Sequence, residues 1–107
     1  MLQVVVFVPE THKEKVKAAM FLAGAGKWGN YDSCCFEHAG VGQFRPLDGS
    51  KPFIGSKEEV EFVNEVKIEM ICDEEFYSHV IKAMKLAHPY ETPAYYGIKT
   101  VGELESN

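Results

Sequence analysis

The spacing of apolar positions changes repeatedly along the chain, and each change marks an element. Leu2 to Val8 is nearly continuous and rich in valine, which predicts a strand buried on both sides. Pro9 ends it. Thr11 and Glu14 stand at capping-box spacing, and Val16, Ala19, Met20 and Ala23 follow at helical spacing. A helix is predicted over Lys13 to Ala25 with this stripe on the sheet, closed by Gly24, Gly26 and Gly29, one of them left-handed. Asp32 to Ala39 reads as a strand, Gly40-Val41-Gly42 as a turn, and Gln43 to Pro46 as the returning arm of a hairpin. Leu47 to Glu59 is turn chemistry throughout. From Val60 to Cys72 the alternation is strict. Val60, Phe62, Val66, Ile68, Met70 and Cys72 share one face, and Glu61, Glu65, Lys67 and Glu69 share the other, as in a half-buried antiparallel strand.

A second helix is predicted after Asp73 as N-cap. Glu74 and Glu75 lie in its first turn, and Lys82, Lys85 and His88 near its end, in register with the helix dipole. Phe76, Val80, Ala83, Met84 and Ala87 form its buried stripe. Pro89 stops it, Pro93 holds Thr92 extended, and Ala94 to Val101 is the last strand. The tail from Gly102 to Asn107 is expected to fray. The order is β-α-β-β-α-β, an α+β arrangement that fits the ferredoxin-like split βαβ plan. Four antiparallel strands would form the sheet, two helices would cover one face, and a decorated hairpin would follow strand 2. The other face carries Glu65, Lys67 and Glu69, with Glu37 beside them, and must be wet or covered by another subunit.

At 107 residues the chain is expected to be a single domain spanning 1–107. It carries 11 basic and 16 acidic residues with no Lys/Arg cluster, which argues against nucleic acid and anionic membrane as partners. Three cysteines, an odd number, point to reduced thiols and a cytoplasmic location rather than a disulfide framework. No apolar run reaches membrane-helix length, and the start lacks a signal-peptide pattern.

Two passages carry chemistry. In Asn30 to Pro46, "NYDSCCFEHAGVGQFRP", Cys34 and Cys35 point to opposite faces of a strand, so they neither share a metal nor pair easily. By parity Cys34 groups with Phe36 and His38 on the packed side, and Cys35 with Glu37. Architecture is the favoured reading of this passage. His38 alone is a weak ligand signal, Gly40-x-Gly42 is no phosphate loop, and a hairpin-end arginine such as Arg45 usually faces solvent. In "HPYETP", His88 to Pro93, two prolines stiffen the turn holding Tyr90 and Glu91, and rigidity favours binding. His88 and Glu91 could supply two ligands to a divalent cation, with a third from elsewhere. A stiff helix-to-strand connector is the plainer reading. No hydrolase elbow, zincin motif or nucleotide fingerprint is present.

With these residues in hand, the chain resembles the insert domain of the Nif-three-like dinuclear-metal family, standing alone. The carrying stretches are Gly24 to Pro46, Lys51 to Glu69 and His88 to Thr100. The last is also similar to the "HPYE-x-P" segment of CutA divalent-cation-tolerance proteins, which share the ferredoxin-like plan with PII signalling proteins. The resemblance implies a homotrimer. In the two-domain Nif-three-like proteins the paired metals sit on a flanking core, so their hydrolase activity is not carried over. CutA resemblance implies a divalent metal, copper or zinc, carried onto His88, Tyr90 and Glu91. The expectation is a small, cytoplasmic, non-enzymatic oligomer. Asn30, Tyr31, His38, Arg45 and Tyr90 would bind a ligand at a cleft between subunits, with His88 and Glu91 as metal ligands. The alternatives are a docking module for a separate protein and a metal-assisted hydrolase.

Overall fold

The computed structural model describes residues 1–102; the expected fraying of the tail beyond Gly102 lies outside the described residues. Strand β1 (Leu2–Pro9) leads through a 3-10 turn (Glu10–His12) into helix α1 (Lys13–Leu22). Strands β2 (Phe36–Phe44) and β3 (Glu61–Cys72) follow. A second 3-10 turn (Glu74–Phe76), helix α2 (Tyr77–Ala87) and strand β4 (Tyr95–Lys99) complete the order. The sheet runs β2-β3-β1-β4, antiparallel at every pairing. This is the ferredoxin-like arrangement predicted from the pattern. No helix among the described residues is long and apolar enough to cross a membrane.

The register separates the two faces. Val4, Val6 and Val8 stand opposite Met70, Ile68 and Val66. All six pack with Val16 and Met20 of α1 and Val80, Ile81 and Met84 of α2 in one buried cluster. The alternation of β3 is therefore the core pattern it was predicted to be, but only where helices lie above it: Phe62 shares that face and remains exposed, and Val60 lies before the strand. In α2 Ile81 is buried, and Phe76, in the 3-10 turn before it, stays 40% exposed rather than buried as expected.

Several local expectations are corrected. Both helices begin through 3-10 turns, so Thr11 does not cap α1. Its hydroxyl bonds the ring of His12, and neither helix start has a side-chain cap. Helix α1 ends at Leu22, and Gly24, Gly26 and Gly29 all take positive φ. Strand β2 starts at Phe36, after both cysteines, and runs straight through Gly40 and Gly42. There is thus no hairpin within it, and an irregular loop from Arg45 to Val60 joins it to β3. Its faces are the reverse of those expected. Phe36 and His38 lie opposite Glu69 and Lys67 on the open face. Glu37 points to the helices, where it receives Lys13 Nζ at 2.9 Å and Lys17 Nζ at 2.6 Å. Those two ammonium groups hold the Glu37 carboxyl below the usual carboxylate range. Two lysine stems on α1 thus cover the edge of the sheet where an apolar side chain was expected.

Candidate functional site

The end of α2 is fastened to the centre of the sheet by one imidazole. His88 is the C-cap, with extended backbone (φ −78°, ψ 138°) as the following Pro89 requires. The backbone N–H of Tyr90 donates to His88 Nδ1 at 3.1 Å. Nδ1 therefore carries no proton, and Nε2 donates its own to the Phe7 carbonyl at 2.7 Å. The neutral ring is fully used. His88 is buried, and burial draws its pKa below the usual value, against the raising effects of the Phe7 carbonyl and Glu65. The expectation that the helix dipole favours protonation fails here, because desolvation of a buried cation outweighs a helix-end dipole.

This clamp sets Tyr90. Its ring lies 5.1 Å from that of His88, 5.9 Å from Phe44 and 6.4 Å from Phe53, centroid to centroid. Its hydroxyl donates to Glu65 Oε2 at 3.1 Å. Burial, then the carboxylate it serves, push the phenol's pKa well above its ordinary value, so it stays a donor. Glu65 comes from β3 and reaches across β2 at Gly42, where a Cβ would occupy the space of the carboxylate. Glu91 accepts the backbone N–H of Lys51 at 2.8 Å and so ties the turn to the loop after β2.

Between the turn, the end of β2 and this loop lies a cavity of about 250 Å3. Phe7, Phe44, Phe53 and Tyr90 supply its aromatic wall, and Glu65 and Glu91 its carboxylates. Of the residues singled out in the sequence, Tyr90 and Glu91 are here. Arg45 is exposed just beyond β2, next to the lining residues Phe44 and Pro46.

The others lie elsewhere in the chain. Asn30 and Tyr31 form an exposed turn closed by mutual Trp28–Tyr31 backbone bonds of 2.9 and 3.0 Å. Tyr31 borders a separate hollow with Gln3, Cys34, Cys35 and Phe36, toward the opposite end of β1 from Phe7. His38 sits on the open sheet face, 6.0 Å from the Phe36 ring, beside a hollow of about 240 Å3 that shares only Phe7 and Glu65 with the cavity. Cys72 is buried and Cys34 and Cys35 are half-buried thiols. Burial raises the pKa of Cys35 and of Cys72, which disfavours thiolate chemistry. Among the described residues no group of three or more His, Cys, Asp or Glu side chains is placed to hold a metal ion. Sequence reasoning missed Phe44, Phe53 and Glu65 as site residues. Phe53 is the one aromatic in the loop between β2 and β3, and that is the available signal.

No family model matches the chain. Curated relatives do. It is 48% identical over 103 residues to the GTP cyclohydrolase 1 type 2 homolog of Halalkalibacterium halodurans, covering 94% of this chain and 28% of that protein. It is 43% identical over 112 residues to the Bacillus subtilis homolog, covering 94% and 30%. The chain thus spans less than a third of the length of these relatives. Among solved structures, a Bacillus cereus protein related to NIF3 superposes with a TM-score of 0.78 at 46% identity, over 90% of this chain and 24% of that one. The periplasmic divalent cation tolerance protein CutA of Archaeoglobus fulgidus superposes with a TM-score of 0.68 at 16% identity, over 98% and 89%, a likeness of fold. The chain is therefore a homologue of a segment of the GTP cyclohydrolase 1 type 2 (Nif-three-like) family, built on the sheet architecture that CutA proteins also have.

Proposed function

We propose that the chain is a small, non-catalytic, cytoplasmic binding module. In this reading it assembles into a homotrimer through the open face of its sheet and takes a small ligand beside the His88–Pro93 turn. The observation that carries the assembly is the composition of that face. Phe36, Tyr96 and Ile98 are exposed on it, flanking a central row in which Lys67 pairs with Glu69 at 3.3 Å. Charges already paired within the chain lower the cost of covering the face with a copy, and exposed apolar side chains supply the gain. The threefold count comes from the resemblance to CutA and PII. Asn30, Tyr31, His38 and Arg45, scattered in one chain, reach a common cleft in this reading only when a neighbouring chain supplies some of them. Sedimentation or light scattering at two salt concentrations tests it. The expected mass is three times the 12.0 kDa chain, and a strict monomer overturns the assembly.

A second reading places copper or zinc on His88 and Glu91, favoured by the cation-tolerance description of the Archaeoglobus protein. It requires His88 to surrender its bond with the Tyr90 amide or with the Phe7 carbonyl. Calorimetric titration with Zn and Cu decides it. Saturable heat lost in Glu91→Gln supports the metal, and no heat removes it.

A further inference from the structure

The cavity beside the His88–Pro93 turn has a lining that selects among ligand classes, and we infer that it is a site for a small ammonium ion carrying methyl or methylene groups. The inference rests on the binding-module reading and names its ligand. Four aromatic side chains line about 250 Å3: Phe7, Phe44, Phe53 and Tyr90. Two carboxylates, Glu65 and Glu91, line the same space, and among the described residues no Lys, Arg or His side chain does. Ring faces attract a cation through their quadrupole, and carboxylates attract it by charge.

The other classes fit less well. An anion would meet two negative groups and no counter-charge. A bare metal ion needs several oxygen or nitrogen donors in exchange for its water shell, and no cluster of three is placed here among the described residues. A neutral apolar molecule would desolvate the carboxylates without giving them a partner. An alkylated ammonium is weakly hydrated and matches both the aromatic wall and the charge. The carboxylates are also held in place for this role. Glu65 is fixed by the Tyr90 hydroxyl at 3.1 Å and Glu91 by the Lys51 amide at 2.8 Å, each with acceptor capacity left over.

The test compares choline with its neutral carbon isostere, 3,3-dimethyl-1-butanol, by titration followed through backbone amide NMR. Choline is expected to shift the amides of Phe44, Phe53 and Tyr90 saturably, and to bind about tenfold more tightly than the isostere. Phe53→Ala and Glu91→Gln should each weaken choline about threefold or more. Both side chains lie at or near the surface, so the variants should melt like the parent, which the same samples verify. Equal affinity for choline and the isostere would overturn the cation assignment while leaving a ligand pocket. No saturable shift from either overturns the assignment and leaves the assembly to its own mass measurement. Choline binding unchanged in both variants overturns it too, because the cation would then lie elsewhere.

Discussion

The two faces of the sheet both carry apolar side chains, yet one is closed within the chain and the other keeps a charged central row. Along β1, Val4, Val6 and Val8 turn toward the helices and are fully buried. Gln3, Val5 and Phe7 turn the other way, opposite Ile71, Glu69 and Lys67. Val5 is only 1% exposed even there, screened by its neighbours across the sheet, Glu69 and Tyr96. Toward the sheet's edges the same face opens, and Tyr96, Ile98 and Phe36 remain accessible. One face draws its burial from this chain's own helices, so its energy appears in folding. The other leaves part of its apolar area exposed, and in the proposed assembly the energy of covering it would appear in association.

That contrast can be broken most sharply at Ile68. Ile68→Ala removes a side chain with no exposed surface and should lower stability by about 3–4 kcal/mol in urea unfolding. A loss under about 1 kcal/mol would mean the covered face is not the core. Its counterpart, Ile98→Ala on the open face, should change the stability of a single chain by under about 1 kcal/mol but reduce the assembled mass at low concentration. A large loss of chain stability with unchanged mass would erase the distinction between the faces.

His88 connects the two faces, and its removal ranks next. His88→Ala leaves the Phe7 carbonyl and the Tyr90 amide without their partner and should cost about 2–3 kcal/mol. The same residue sets an acid limb. Burial depresses its folded pKa below the usual 6.5, so the unfolded chain binds more protons between that depressed value and 6.5. Its contribution is complete above pH 6.5 and is lost as pH falls through that window. Thermal melts from pH 7.5 downward should show this loss in the parent and not in His88→Ala.

Gly42→Ala probes the open face from the side of the cavity. The added methyl displaces the Glu65 carboxylate and should cost about 1–3 kcal/mol, with Tyr90 losing its partner; a crystal structure or Tyr90 hydroxyl resonance would report the shift. The smallest effect belongs to Glu37→Gln. That carboxylate is solvent-accessible although paired, so its loss should cost under about 1 kcal/mol. Its folded pKa is depressed below the usual 4.5. The ion pair therefore stabilises above pH 4.5 and is lost as pH falls through the folded value. The variant should flatten only that part of the acid profile.

Much of the covered face was legible in the sequence, because a strand that must bury one side writes a period of two and a helix a period near 3.6. Val66, Ile68, Met70 and Cys72 of β3 and Val80 and Met84 of α2 were read this way and are buried. Strand β2 was misread for two reasons. A glycine pair is the mark of a turn and also of a strand that something crosses, and here Glu65 crosses at Gly42. Parity groups Phe36 with Cys34 and His38 as the packed set and leaves Glu37 beside the charged residues of the other face. The reversal comes from Lys13 and Lys17, whose reach from α1 no local pattern encodes. The cavity was half legible. Two prolines announced a rigid turn at Tyr90 and Glu91, whereas Phe53 and Glu65 arrive from distant parts of the chain and their meeting is a tertiary fact.

The His88 clamp makes the cavity mechanically lopsided. Tyr90 is moored through one imidazole to the innermost strand, so displacing it means disturbing the most protected part of the molecule. The facing wall, from Arg45 to Val60, belongs to no sheet and is pinned by short turns, such as the Ser50 amide and hydroxyl on the Leu47 carbonyl. Segments of that kind open at low free energy while the sheet stays closed. Traffic into and out of the cavity should therefore pass under the loop. Deuterium should replace the Phe53 amide proton long before that of Tyr90.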